Sequence, residues 1–250
     1  MKPDMNPISS QSSTAHADAL PRLGSLRVKS KSVHFIHLHL LMQDLKIAID
    51  RFAKGDILDL GCGNKPYREW YGPRTDRQTG CDIVQSDQRR VDVLCQAHRL
   101  PFAEGSFDTV LCTQVLEHVY HQRELVTDAY RSLRPGGHLI LSVPFCWEIH
   151  EAPYDFFRVT RFGLTKLLED AGFHIVELKA NGGKWATTAQ MMLNTIYSTF
   201  KTRTLRARLL KLLFHGVGLT WLINKVALWM DRRYFDDVWT LNYLVVAQKP

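Results

Sequence analysis

An apolar run that stops abruptly on glycine constrains this chain more than any other feature. Residues 56–60 (Asp-Ile-Leu-Asp-Leu) read as a short buried strand that empties into Gly61-Cys62-Gly63-Asn64. Glycines directly after such a strand let the backbone approach a ligand more closely than any residue with a β-carbon allows. Asp59 sits at the strand end, where its carboxylate can accept from a cationic or hydroxyl-bearing ligand. A second acid, Asp82, ends the next strand-like run, QTGCDIV, about twenty residues on, a spacing that suits a carboxylate gripping ribose hydroxyls. Gly61 and Gly63 alone would equally suit a turn joining strand to helix. With an acid on either side, a nucleoside-type ligand is favoured. A phosphate-cradling loop does not fit, because Lys65 is not followed by Ser or Thr. A dinucleotide loop does not fit either, because Pro66 stands where its third glycine would fall.

Around this loop strand and helix patterns alternate. Phe35, Ile36, Leu38, Leu41, Leu45, Ile47, Ala48 and Phe52 recur at helical spacing within residues 32–54, and Gly55 closes that segment. VDVLC (91–95) and FDTVLCT (from Phe107) read as strands, and Gln122 to Leu133 as a helix. Arg134 to Gly137 then reads as a turn, and HLILSVP from His138 as a continuous apolar strand. Thr160 is an N-cap candidate for a helix over 161–171 closed by Gly172, and FHIVELKA is a further strand. Strands separated by helices of this length pair in parallel, with crossovers on both faces. The expectation is a doubly wound α/β domain over residues 32–180.

The flanks differ from this core. Residues 1–31, rich in Ser, Pro and Asn at their start, predict a disordered tail without the apolar stretch of a secretory signal. Between Leu178 and Met230 there is no Asp or Glu. Lys179, Lys184, Lys201, Arg203, Arg206, Arg208, Lys211 and Lys225 all fall there. Residues 181–236 therefore read as a basic, apolar helical insertion, and 237–250 as a last strand returning to the sheet. The net charge of +7 points to anionic partners, not to a fold. Five cysteines without a CxxC pair suggest neither a zinc site nor disulfides, and a reducing, cytoplasmic location is expected.

Three stretches together resemble the class I S-adenosylmethionine-dependent methyltransferases, in particular the type 11 group. They are ILDLGCGN, RLPFAEGSFDTVLCTQVLEHV (Arg99–Val119) and RSLRPGGHLILSVP (Arg131–Pro144). The resemblance implies a mostly parallel seven-stranded, Rossmann-like sheet and S-adenosylmethionine as cofactor. It also implies that Asp59, Gly61 and Gly63 line the cofactor, that Asp82 takes its ribose hydroxyls, and that Thr113 and Gln114 lie near its amino-acid end. Two positions depart from the pattern. Lys65 replaces a frequent third glycine, and Gln96 stands where an acid usually meets the adenine amine.

Methyl transfer to oxygen requires near-attack geometry and removal of a proton. The segment 147–158, after the HLILSVP strand, carries His150 and Asp155 among aromatics, and His150 is the preferred candidate base with Asp155 beside it. The alternative is that His150, Asp155 and Arg158 only tie down the loop. Glu117-His118 is a second candidate pair. His34, His37 and His39 read as part of a helix covering the cleft, and no metal site is expected. The acceptor is expected to be a small or lipid-linked molecule such as a sugar, quinone or secondary metabolite. RNA modification and an inactive binding role are the alternatives. Residues 201–230 alternate cations with Leu, Phe and Trp, which fits a lid, a homodimer face or an element lying on an anionic membrane surface. Nucleic acid is disfavoured, since no RNA-binding module is present.

Overall fold

The computed structural model describes residues 26, 28–199, 204, 209, 212, 214 and 216–250; most of the expected tail and part of the 201–230 segment lie outside them. Its strands are β1 (Gly55–Leu60), β2 (Thr75–Asp82), β3 (Val93–Leu94), β4 (Phe107–Thr113), β5 (Leu133–Pro144), β6 (His174–Asn181) and β7 (Asn242–Gln248). They form one sheet in the order β3-β2-β1-β4-β5-β7-β6. The first five run parallel, and β7 runs antiparallel between β5 and β6. This is the mostly parallel, doubly wound sheet expected above. The strand order reverses between β1 and β4, and the crevice beyond the carboxyl ends of a parallel sheet opens at such a point.

The helices are α1 (Phe35–Phe52), α2 (Arg68–Tyr71), α3 (Gln122–Ser132), α4 (Arg161–Asp170), α5 (Lys184–Thr199) and α6 (Leu219–Arg233). The central strands are apolar without a break because both of their faces are covered. Leu58, Leu60, Val110, Cys112, Leu139 and Leu141 pack with Leu125 of α3 and Leu164 and Leu168 of α4. The alternate residues Ile57, Leu111 and Ile140 pack on the other side with Leu45, Ala48 and Ile49 of α1 and Tyr71 of α2. Asp59 shares the parity of Ile57 and points toward α2.

Two local expectations change. β3 shrinks to two residues, because only Cys81 and Asp82 of β2 find partners there. The Arg134–Gly137 stretch lies within β5, which pairs with Phe107 at Leu133 and resumes at His138 opposite Thr109. The register shift absorbs the predicted turn. At α4 the Thr160 side chain accepts from the Gly163 amide at 3.2 Å, as its position before the helix predicts.

α5 and α6 pack against the start of α1, through Ala186, Ala189, Ala227 and Leu228 against Phe35 and Ile36. Polar contacts fasten this union. Asp231 of α6 accepts from the amides of Gly183 and Ala186 at the start of α5. Gln190 of α5 accepts from the His37 amide at 3.1 Å and donates to the Val33 carbonyl at 2.9 Å. No helix among the described residues is long and apolar enough to cross a membrane.

Candidate active site

The glycine loop leaves β1 in the left-handed region, with φ of 71° at Gly61 and 49° at Gly63. A β-carbon on Gly61 would lie 2.3 Å from Val115 Cγ2, so the loop can run this close to β4 only without a side chain there. The Gly61 and Cys62 amides donate to the Cys81 carbonyl, and the Gly63 amide donates to Asp82 Oδ2 at 3.0 Å. The Ile83 amide donates to Asp82 Oδ1 at 2.8 Å. Loop and second acid are thus one hydrogen-bonded unit. Lys65 adopts φ 52° in place of a third glycine, and its ammonium pairs with Asp92, which also accepts from the Gly80 amide at 2.7 Å.

Asp59 is buried, and the Tyr71 hydroxyl donates to its Oδ2 at 3.0 Å. Burial pushes its carboxyl up to about 7, against the opposing pull of the Tyr71 hydrogen bond. Tyr71 is a partner that the sequence did not reveal, since nothing in its spacing marks it as facing β1.

A cavity of about 500 Å³ opens beyond the carboxyl ends of β1, β2 and β4. Asp59, Gly61, Gly63, Asp82, Gln96, Thr113 and Gln114, all singled out from sequence, border it. Gln114 is itself held at φ 54°, its amide donating to the Ser142 carbonyl at 2.9 Å and its side chain to Ser142 Oγ at 3.2 Å. A non-glycine residue in this region stores strain, which is commonly found at ligand sites. Leu38, Leu41, Met42 and His37 of α1 form one wall. The His37 ring lies 4.1 Å from that of Trp147, and burial lowers its pKa to about 3, so it is neutral.

The loop after β5 folds back toward this cavity. Arg158 grips both oxygens of Asp155, at 2.5 and 2.7 Å, and this pairing lowers the Asp155 pKa to about 2. Asp155 Oδ2 also accepts from the His150 amide at 3.0 Å and lies 3.2 Å from His150 Nδ1. Burial, then the neighbouring His118, lowers the His150 pKa. His150 and Asp155 are therefore brought together, but neither borders the cavity. His118 and Glu151 border it instead. His118 Nδ1 lies 2.8 Å from the Tyr154 carbonyl, which only accepts, so Nδ1 carries a proton and Nε2 is the nitrogen turned away from this bond.

Behind His118 lies Glu117, with no exposed surface. Neither of its carboxylate oxygens accepts a hydrogen bond from another residue. Burial raises its carboxyl to about 8. In sequence Glu117 and His118 are only neighbours after a strand; that one is buried and the other faces the cavity follows from the 3-10 turn at Leu116–His118.

Residues 58–141 match the model of a methyltransferase domain family, type 11. A probable S-adenosylmethionine-dependent methyltransferase of Mycolicibacterium smegmatis is 31% identical over 139 residues, 50% of this chain and 54% of that protein. A ubiquinone biosynthesis O-methyltransferase of Dechloromonas aromatica is 30% identical over 102 residues, 34% of this chain and 43% of that protein. The chain thus spans about half the length of these curated relatives. Among solved structures, the [4+2]-cyclase SpnF superposes with a TM-score of 0.55 at 19% identity, over 84% of this chain and 82% of that one. That likeness concerns the fold alone.

Proposed function

We propose that the protein is an enzyme that transfers a methyl group from S-adenosylmethionine to an oxygen of a small or lipid-linked acceptor, a reading that the match of residues 58–141 to a methyltransferase domain supports. The observation that carries this reading is the convergence of a glycine loop, two acids and the Thr113-Gln114 turn on one cavity of about 500 Å³, a volume suited to a nucleoside-sized ligand. The donor set fits the cofactor's chemistry. Asp59 is a buried acid whose ionised form a cationic or strongly donating group would favour. Asp82 is a carboxylate fixed by the amides of Gly63 and Ile83. When bound, the cofactor supplies an electrophilic methyl group on a sulfonium.

The chain's own contribution is positional. Gly61 and Gly63 give access, α1 excludes water from one side, and Gln96 offers an amide oxygen to an exocyclic amine. The proton lost by a hydroxyl acceptor leaves toward the wall that His118 and Glu151 form, with His150 behind them and Asp155 and Arg158 bracing the loop that carries it. An oxygen acceptor accords with the 30% identity to the ubiquinone biosynthesis O-methyltransferase.

A lipid-linked acceptor is favoured by α6, where Leu222, Val226 and Trp229 stand exposed on one stripe beside Lys225. In sequence the acid-free stretch from Leu178 to Met230, which ends within this helix, complements an anionic surface.

Calorimetric titration with S-adenosylmethionine and its demethylated product tests the cofactor reading. Micromolar binding lost in Asp82→Ala would support it, and absence of binding by either ligand would overturn it. Transfer of a labelled methyl group to hydroxylated lipids and glycans then tests the acceptor.

A further inference from the structure

The geometry points to a binding site for a divalent transition-metal ion at the cavity wall, with Glu117, His118 and His150 as ligands. One donor atom from each of the three lies within 4.8 Å of the others. His118 Nε2 is 3.7 Å from Glu117 Oε1 and 3.9 Å from Glu151 Oε2. The two imidazole rings meet edge to face, with centroids 4.8 Å apart.

Three independent features mark this group as more than a cluster of polar residues. The first is Glu117, a carboxylate with no exposed surface and no hydrogen bond from another residue to either oxygen. A buried acceptor left in that state is costly, and native proteins rarely keep one without a partner.

The second is the orientation of both histidines. His118 Nδ1 is tied to the Tyr154 carbonyl, and His150 Nδ1 faces Asp155 Oδ2 and the Glu148 carbonyl, at 3.2 and 3.3 Å. Metal-ligating imidazoles are held in this way, one nitrogen donating to a carboxylate or carbonyl so that the other presents its lone pair. The third is proximity: His118 borders the cavity, so an ion held on its ring would sit at the cavity's edge.

The donor chemistry selects the ion. Two imidazoles and a carboxylate suit zinc, manganese or iron(II) better than calcium or magnesium, which prefer oxygen alone. Zinc binds such ligands at about 2.0–2.2 Å, so the widest gap closes by side-chain rotation. Arg158 does not oppose a cation here with its full charge, because Asp155 neutralises it through two contacts.

Three protein ligands leave coordination positions for a further group, and His118 puts the ion beside the cavity. An acceptor bearing a hydroxyl, above all one with two adjacent oxygens, would bind there and lose its proton to solvent at lower pH than in water. This last step rests on the methyltransferase reading; the metal site itself does not.

The test uses the full chain, freed of metal by a chelator and dialysed against zinc(II), manganese(II) or cobalt(II) alone, without cofactor or acceptor. One equivalent should bind, with cobalt(II) giving the visible absorption of a nitrogen- and oxygen-ligated ion. Glu117→Gln, which keeps the shape of the side chain, and His118→Ala should each abolish that equivalent. His174→Gln, on β6, should retain it. Removing Asp155 as the brace of His150 should weaken binding by about 10–100-fold. No stoichiometric uptake by the parent chain, or uptake unchanged in Glu117→Gln, would overturn the site. S-adenosylmethionine titration of the same samples separates the readings: metal bound without cofactor leaves the site standing and removes the proposed activity.

Discussion

Asp59 concentrates the tension between stability and binding in one side chain. Its carboxyl rises from the ordinary 3.8 to about 7 because it is buried against Tyr71. The folded chain therefore keeps a proton that the unfolded chain releases between about pH 4 and 7. Stability contributed by this group falls as pH rises through that window and is flat above it. Asp59→Asn removes the dependence. Chemical denaturation should show the variant gaining on the order of 1–3 kcal/mol over the parent from pH 5 to pH 8, with cofactor binding lost. Equal slopes for the two proteins would show that Asp59 is ionised throughout. Gly61 makes the opposite demand, for absence. Gly61→Ala pushes a methyl group toward Val115 at a left-handed φ. It should abolish S-adenosylmethionine binding and lower stability by about 1–3 kcal/mol, read by thermal melting with and without ligand.

At the scale of elements, α1 does two jobs. Its Leu45–Ile49 face covers the sheet, while its first turns wall the cavity and receive α5 and α6. That second attachment depends on polar contacts. Asp231 accepts from the two amides at the start of α5, and Gln190 grips α1 from α5. Asp231→Ala leaves buried donors without a partner, a loss of about 1–3 kcal/mol. Because α5 and α6 do not line the cavity, cofactor affinity should change little, while limited proteolysis should degrade the variant's α5 and α6 sooner than the parent's. Cofactor affinity falling in step with stability would instead show that these helices hold α1 in place over the site.

Over the whole molecule, charge and apolar surface are unevenly distributed. Eight cations and no acid fall between Leu178 and Met230, where Trp221, Leu222, Val226 and Trp229 of α6 are also exposed. The chain should sediment with vesicles containing anionic lipid at low salt and be released as ionic strength shortens the range of the attraction. Trp229→Glu should weaken this partition without affecting cofactor titration. Failure to sediment at low salt would leave the stripe as a face for a second copy, to be read by light scattering.

Much of this was legible in the chain itself, for reasons of local physics. Continuous apolar runs announce strands buried on both faces, as at β4 and in β5 from His138. A threonine before a helical pattern announces its cap, as at Thr160. Glycines between Asp59 and Asp82 announce a loop whose backbone runs close to its neighbours, and the residues chosen there meet around one cavity. What lay beyond the sequence depends on contacts between distant segments. The 3-10 turn after β4 sets His118 against the cavity, and the swing of the 147–158 loop brings Glu151 there and not His150. Packing behind β4 buries Glu117 with no hydrogen bond from another residue to its carboxyl oxygens, and the fold brings Tyr71 onto Asp59. Residue type and spacing determine which conformations a segment can adopt and which chemistry it carries. Only the closed structure decides which of those groups lose their water and which others they then face, and their reactivity follows from that.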